Sequence, residues 1–168
     1  IFNKYKDSRL RYFYAPKFTK LGEARNLAVS HAKGDWLGFL DCDDVWLPIK
    51  LESQINIVNQ EISELGIVYG QCLVIKSGRE NLSRWSKMQN KYIKKTVLRI
   101  LPEGYIFKKL IKFNFIPLVT AIVNKSAYHE VGGVSSHFEH AEDYELFIKI
   151  AATKKVRAVQ KVVALYRI

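Results

Sequence analysis

The chain of 168 residues contains only two cysteines, Cys42 and Cys72. No CxxC pair occurs, which excludes a disulfide scaffold and a cysteine-rich zinc module and makes a reducing compartment the default. No apolar run is long enough to span a bilayer, and the first residues do not read as a secretory leader. Internal repeats, low-complexity tracts and linker-like stretches are missing too. Acid is scarce: 16 Asp+Glu stand against 27 Lys+Arg, a formal charge of +11. Between Arg84 and Lys125 the sole acidic residue is Glu103. Such an excess favours anionic partners (nucleic acid, phosphorylated ligands or an acidic membrane face) without choosing among them.

What is present is enough for a core. With 48% hydrophobic and 12% aromatic residues, the chain does not have the composition of a disordered polypeptide, and its length suits one domain. The opening "IFNKYKDSRLRYFY" lacks an initiator Met and reads as the tail of an earlier element running into a strand that stops at Pro16, as in a fragment. "EARNLAVSHA" places Ala24, Leu27, Ala28 and His31 at helical spacing before Gly34. "DWLGFL" predicts a short strand. "VWLPIKLESQINIVNQEI" predicts a helix with Pro48 in its first turn and Leu51, Ile55, Val58 and Ile62 on one face. "GIVYGQCLVI" reads as a buried strand, "GYIFKKLIKFN" as an amphipathic helix, and "FIPLVTAIV" as a strand. "SAYHEVGGV" reads as a helical turn stopped by Gly132 and Gly133, "AEDYELFIKIAA" as a helix and "VVALYRI" as a last strand. Strands alternating with helices indicate an α/β fold.

Against the basic background stands "FLDCDDVWLP", with Asp41, Asp43 and Asp44 at the carboxyl end of a strand. That is where open α/β sheets bind ligands. Three like charges need a counter-charge, and Mg²⁺ or Mn²⁺ takes one or two carboxylates and completes its shell with water and phosphate. The bland alternative is a solvated turn with Asp44 capping the next helix, and for an isolated DxD it is the better bet. An EF-hand loop starting at Asp41 fails, because Trp46 stands where the turn needs Gly. A haloacid-dehalogenase-like phosphatase, with Asp41 as nucleophile and Asp43 as general acid, remains open on this stretch alone.

The longer run "LGEARNLAVSHAKGDWLGFLDCDDVWLPIKLE" resembles the inverting family 2 glycosyltransferases of the GT-A fold. The matching positions are Gly22, Ala24, Arg25, Asn26, Ala32, Gly34, Asp35, Leu40, Asp41, Asp43, Asp44 and Trp46. "NFIPLVTAIVNKSAYHEVGGVSSHFEHAEDYELFIKIA" and "VVALYRI" resemble two further blocks of that family, in the same order. The family's opening "VIIPxYN" and "DDGSxD" segments do not occur here.

The resemblance implies a GT-A (Rossmann-like) α/β fold, a mixed sheet flanked by helices, truncated at its N-terminus. Residues 1–168 would form one partial domain, with 1–76 the remainder of the donor- and metal-binding half and 77–168 the acceptor-side half with the catalytic base. Asp43 would be the main ligand of Mn²⁺ or Mg²⁺, and Asp41 would approach the metal or the nucleotide ribose. Arg25 and Asn26 would lie near a nucleotide-sugar donor, a UDP-sugar by family weight. Asp143 would be the catalytic base, and Glu142 would assist it or orient the acceptor.

The implied activity is transfer of a sugar to a hydroxyl of a glycan or lipid-linked acceptor in cell-envelope polysaccharide synthesis. It would take place in the cytoplasm, at the inner face of the membrane. On the residues alone, service to the helix cap and dipole is the better reading of Glu142 and Asp143. The lysines from Arg84 to Lys112 read either as a solvated face or as a contact with anionic lipid. A non-enzymatic nucleic-acid module would explain the charge but not the acidic clusters, and no RNP, KH or zinc-finger pattern appears. His129, His137 and His140 lack ligand spacing, with His140 a candidate for the acceptor site. Cys42 reads as a small spacer, Cys72 as core, and Trp46 as packing before stacking on an acceptor. Neither the sugar nor the oligomeric state is legible.

Overall fold

The computed structural model describes residues 5–61, 63–75, 100–136 and 141–167. His137, His140, Ile62 and the basic stretch from Arg84 to Arg99 lie outside them. In chain order the elements are α1 (Leu21–His31), β1 (Trp36–Gly38), β2 (Val45–Trp46), α2 (Ile49–Gln60) and β3 (Leu65–Ile75). There follow a short α3 (Phe107–Leu110), a 3-10 turn (Leu118–Thr120), β4 (Ile122–Asn124), α4 (Lys125–Glu130), α5 (Glu142–Ala151) and β5 (Lys155–Arg167).

One mixed sheet runs in the order β1-β4-β3-β5-β2. β3 and β5 pair in parallel along their length, and the other neighbours are antiparallel. Leu65 to Gly70 are all buried, the mark of a strand covered on both faces. On one face Ile67, Tyr69, Val156 and Ala158 pack with Leu146, Phe147 and Ile150 of α5. On the other, Val68, Ile122, Val159 and Val163 pack with Ile57 and Val58 of α2. The α5 helix approaches β3 so closely that a Cβ on Gly66 would stand 2.5 Å from an Ile150 methyl.

The predicted α/β architecture is present, but several local expectations change. "RLRYFYAP" forms no strand among the described residues. Tyr12, Phe13 and Tyr14 stay exposed, and Phe13 stacks on His31. Residues Val45–Trp46 are a strand rather than the start of a helix, because they pair with Ala164 and Leu165. In α1 the inward residues are Gly22, Arg25 and Val29, while Leu27 is exposed. In α2 they are Lys50 and Gln54, while Leu51 and Ile55 are exposed. Both helices turn a polar face inward because that face finds buried partners, which a rule based on apolar spacing does not count. "GYIFKKLIKFN" is helical only over Phe107–Leu110, and "FIPLVTAIV" makes the 3-10 turn before a strand of three residues.

Candidate active site

β1 ends before Phe39, and the chain then turns at Asp41–Asp44, closed by the Asp44 N–H donating to the Asp41 carbonyl at 3.1 Å. First and fourth residues of such a turn come together, so Asp41 and Asp44 both line a cavity of about 540 Å³. Asp43 is exposed on the turn and is not among the lining residues. Asp44 does not cap α2, whose N-cap is Pro48 without a side-chain bond. Instead Asp44 Oδ1 accepts from the Arg167 N–H at 3.0 Å, which ties the turn to the end of β5. Burial raises the Asp44 carboxyl above its usual range, and the charges of Asp43 and Asp41 add to this.

The opposite contribution comes from the start of α5. Ala141 precedes it with φ 62, a left-handed conformation that costs a non-glycine residue about 1–2 kcal/mol. That bend delivers Glu142 and Asp143 to the same cavity as Asp41 and Asp44. The N-cap position, Ala141, offers no side-chain acceptor to the helix. Asp143 Oδ1 accepts from the Tyr144 N–H at 2.7 Å. Its carboxyl is raised, chiefly by burial and further by Glu142, against the Tyr144 bond and Arg25. A carboxyl raised in this way suits a group that must accept a proton.

Arg25 joins the two halves. Its guanidinium donates to Glu142 Oε1 across 117 positions of sequence, and its Nη2 lies 3.6 Å from Asp41 Oδ1. The Arg25 and Glu142 side chains are nearly buried, while Asp41 is about half exposed. Asn26, its neighbour, does not line the cavity. Its amide donates to the Val134 carbonyl at 2.7 Å and accepts from the Val134 N–H and the Tyr128 hydroxyl. Gly133, at φ +72, sits under this amide, where a Cβ would lie 2.7 Å from Asn26 Oδ1. Asn26 thus anchors α1 to the Gly132–Gly133 turn and thereby aims Arg25.

The rest of the cavity wall comes from Asn114 to Val119, with Leu21, Cys72, Val74 and Tyr166. The sequence grouped Asp44 with Asp41 and Asp43 but gave it no role beyond that of a helix cap, and it did not point to this wall, whose residues carry no motif. Cys72 packs against the core, as expected, but also reaches the cavity. Trp46 is a packing residue: its ring would meet a Cβ on Gly38 at 2.8 Å, and its Nε1 donates to the Val119 carbonyl at 2.9 Å.

Among the described residues, no three His, Cys, Asp or Glu side chains form a ready metal cage. Of the four carboxylates at the cavity, Asp41 and Asp44 on the turn after β1 fit a different kind of site. They suit a hard cation that takes one or two carboxylates and fills its shell with water and phosphate.

The family described as "Glycosyltransferase like family 2" matches residues 3–168. Two curated relatives from Escherichia coli are UDP-Glc:alpha-D-GlcNAc-diphosphoundecaprenol beta-1,3-glucosyltransferases. WfgD is 26% identical over 93% of this chain and 54% of its own length. WfaP is 27% identical over 100% of this chain and 59% of its own. The chain therefore spans little more than half the length of these relatives. Among solved structures, S. aureus TarS 1-349 in complex with UDP-GlcNAc superposes with a TM-score of 0.61 at 14% identity, covering 88% of this chain and 38% of that one. The likeness extends the fold match to a GT-A architecture.

Proposed function

The chain belongs to glycosyltransferase-like family 2, and on that premise we propose that it carries the reaction centre of a metal-dependent, inverting sugar transferase. The observation that bears most weight is the Arg25 bridge. It draws Asp41 of the first acidic motif and Glu142 of the second to one cavity, with Asp143 beside them. A nucleoside diphosphate-sugar would place its phosphates toward Asp41 and Asp44. Mg²⁺ or Mn²⁺ held there by Asp41, with Asp44 or Asp43, would supply Lewis-acid stabilisation of charge on the leaving diphosphate. Asp143 would take the proton of the acceptor hydroxyl as the new bond forms. A single displacement with one base inverts the anomeric carbon. Glu142 pairs with Arg25, and its charge adds to burial in raising the Asp143 carboxyl. In this reading residues 1–76 serve the donor and 77–168 the acceptor.

The names of the relatives and the bound ligand of the structural neighbour support a UDP-sugar donor and a polyprenyl-diphosphate-linked glycan acceptor in envelope synthesis. The phosphatase alternative gives no role to Arg25, Glu142 and Asp143 at the same cavity. The nucleic-acid alternative leaves the facing carboxylates unexplained. Calorimetry of the full-length protein with UDP tests the reading. UDP should bind in the presence of Mn²⁺, bind at least about ten-fold more weakly after chelation, and weaken similarly in Asp41→Ala, as expected for loss of a charged ligand contact. UDP binding indifferent to both changes would end the metal-diphosphate reading.

We also propose contact with the inner face of an anionic membrane. No helix among the described residues is long and apolar enough to cross one. Around α3, however, Ile111 and Phe113 are 50% and 63% exposed, among the exposed Lys108, Lys109 and Lys112. Apolar side chains between lysines suit a headgroup surface, and the cavity wall begins at the next residue, Asn114. Full-length protein should sediment with vesicles containing anionic lipid at low salt, and less so in Phe113→Ser. Equal sedimentation with neutral vesicles would exclude this contact.

A further inference from the structure

Lys50 is 0% exposed in the first turn of α2, and no carboxylate pairs with it among the described residues. Its Nζ donates to Gln54 Oε1 at 2.8 Å and to the Ala121 carbonyl at 3.4 Å, and it stands 4.3 Å from the centre of the Trp46 ring. An ammonium has three N–H donors, so two oxygens and one π face account for them. The neighbours act on the same short segment. Trp46 Nε1 donates to the Val119 carbonyl at 2.9 Å, and Gln54 Nε2 donates to the Thr120 carbonyl at 2.8 Å and to Val68 at 3.0 Å. Three consecutive carbonyls, Val119, Thr120 and Ala121, are therefore held by three side chains from β2 and α2. Pro117, Leu118 and Val119 line the cavity.

We infer that Lys50 is a positioning residue: with Trp46 and Gln54 it fixes the backbone of 117–121 as a rigid wall of the substrate cavity. What that wall receives rests on the nucleotide-sugar reading above; the rigidity itself does not.

A hydrophobic side chain of similar length would fill the same space without burying a charge. Burial lowers the Lys50 ammonium from 10.5 to about 8. The folded state thus binds fewer protons than the unfolded one between these values, and stability from this group rises with pH through that window. At neutral pH the buried charge is a cost. The groups facing it are Trp46, Gln54 and the Ala121 carbonyl, none of which titrates in this range. Its role should show when it is removed: the fold survives, and order is lost first in the wall.

The experiment uses full-length Lys50→Met. It should still fold, melting somewhat below wild type because Gln54 Oε1 and the Ala121 carbonyl lose their donor. The Thr120 and Ala121 amides, which donate to Pro117 and Leu118 in the 3-10 turn, should exchange with solvent at least ten-fold faster, and UDP with Mn²⁺ should bind about ten-fold more weakly, the scale of one lost ordering contact. Unchanged exchange of these amides, or a lower melting temperature with protection lost uniformly across the sheet, overturns the inference. If the variant does not fold, Trp46→Phe decides: it keeps a ring beside Lys50 and removes the donor to the Val119 carbonyl, so exchange of the same amides should rise, and unchanged exchange rejects the role. Failure of wild-type UDP binding would count against the nucleotide-sugar reading, and the exchange result would still judge Lys50.

Discussion

Asp143→Asn should lower turnover of the full-length enzyme by about 10²–10⁴-fold, the usual contribution of a positioned general base, and leave UDP affinity unchanged. The amide fills the same space and keeps the acceptor for the Tyr144 N–H, but it cannot take a proton. The pH profile sharpens the test. A base works when deprotonated, and burial and Glu142 hold the Asp143 carboxyl above its ordinary value. The wild-type rate should therefore fall with decreasing pH at a point above the ordinary carboxylate range. Glu142→Gln removes one of the raising charges and should move that limb to lower pH. Stability runs the other way. A carboxyl raised in the folded state makes folding less favourable once pH exceeds that value, so Asp143→Asn should melt no lower than wild type. A variant with full turnover, or one that loses activity only because it unfolds, removes Asp143 from the mechanism.

The second large effect concerns Arg25. Arg25→Met leaves the Glu142 carboxylate 5% exposed and without its cation. Breaking one side of a buried pair costs about 3–5 kcal/mol, whereas replacing both sides is often neutral. Arg25→Met should lose about that much in urea unfolding, and Arg25→Met with Glu142→Gln should recover most of it. The double variant should still fail to transfer sugar, because the link between Asp41 and α5 is gone. A single-variant loss below about 1 kcal/mol, the range of exposed pairs, would show that Arg25 and Glu142 do not depend on each other.

Arg25, Asp41, Glu142 and Asp143 were all legible as motif residues, and they meet at one cavity. The resemblance found them through residue order, and physical reasoning alone did not: on a helix, Arg25 reads as a solvated charge until Glu142 is known to face it. That Asp44 lines the cavity while Asp43 is exposed on the turn has a local reason. In a turn the first and fourth residues converge, and the sequence does not say where the turn begins. Lys50 and Gln54 were hidden because apolar periodicity assigns Leu51 and Ile55 to the inner face of α2. The strands of the sheet centre were legible from their apolar runs. Those with few apolar residues, such as β2, depend on a partner strand far along the chain.

The parallel pairing of β3 with β5 also governs how the protein is made. β3 ends at Ile75, and its main partner does not begin until Lys155. The central strand of the sheet therefore leaves the ribosome long before the strand that completes it, at a synthesis rate of about 5–20 residues per second. A parallel pair of such separation closes slowly. During that interval the apolar run Leu65–Gly70 has no β5 beside it, so substitutions that slow closure should reduce soluble yield in cells before they reduce the stability of the finished molecule.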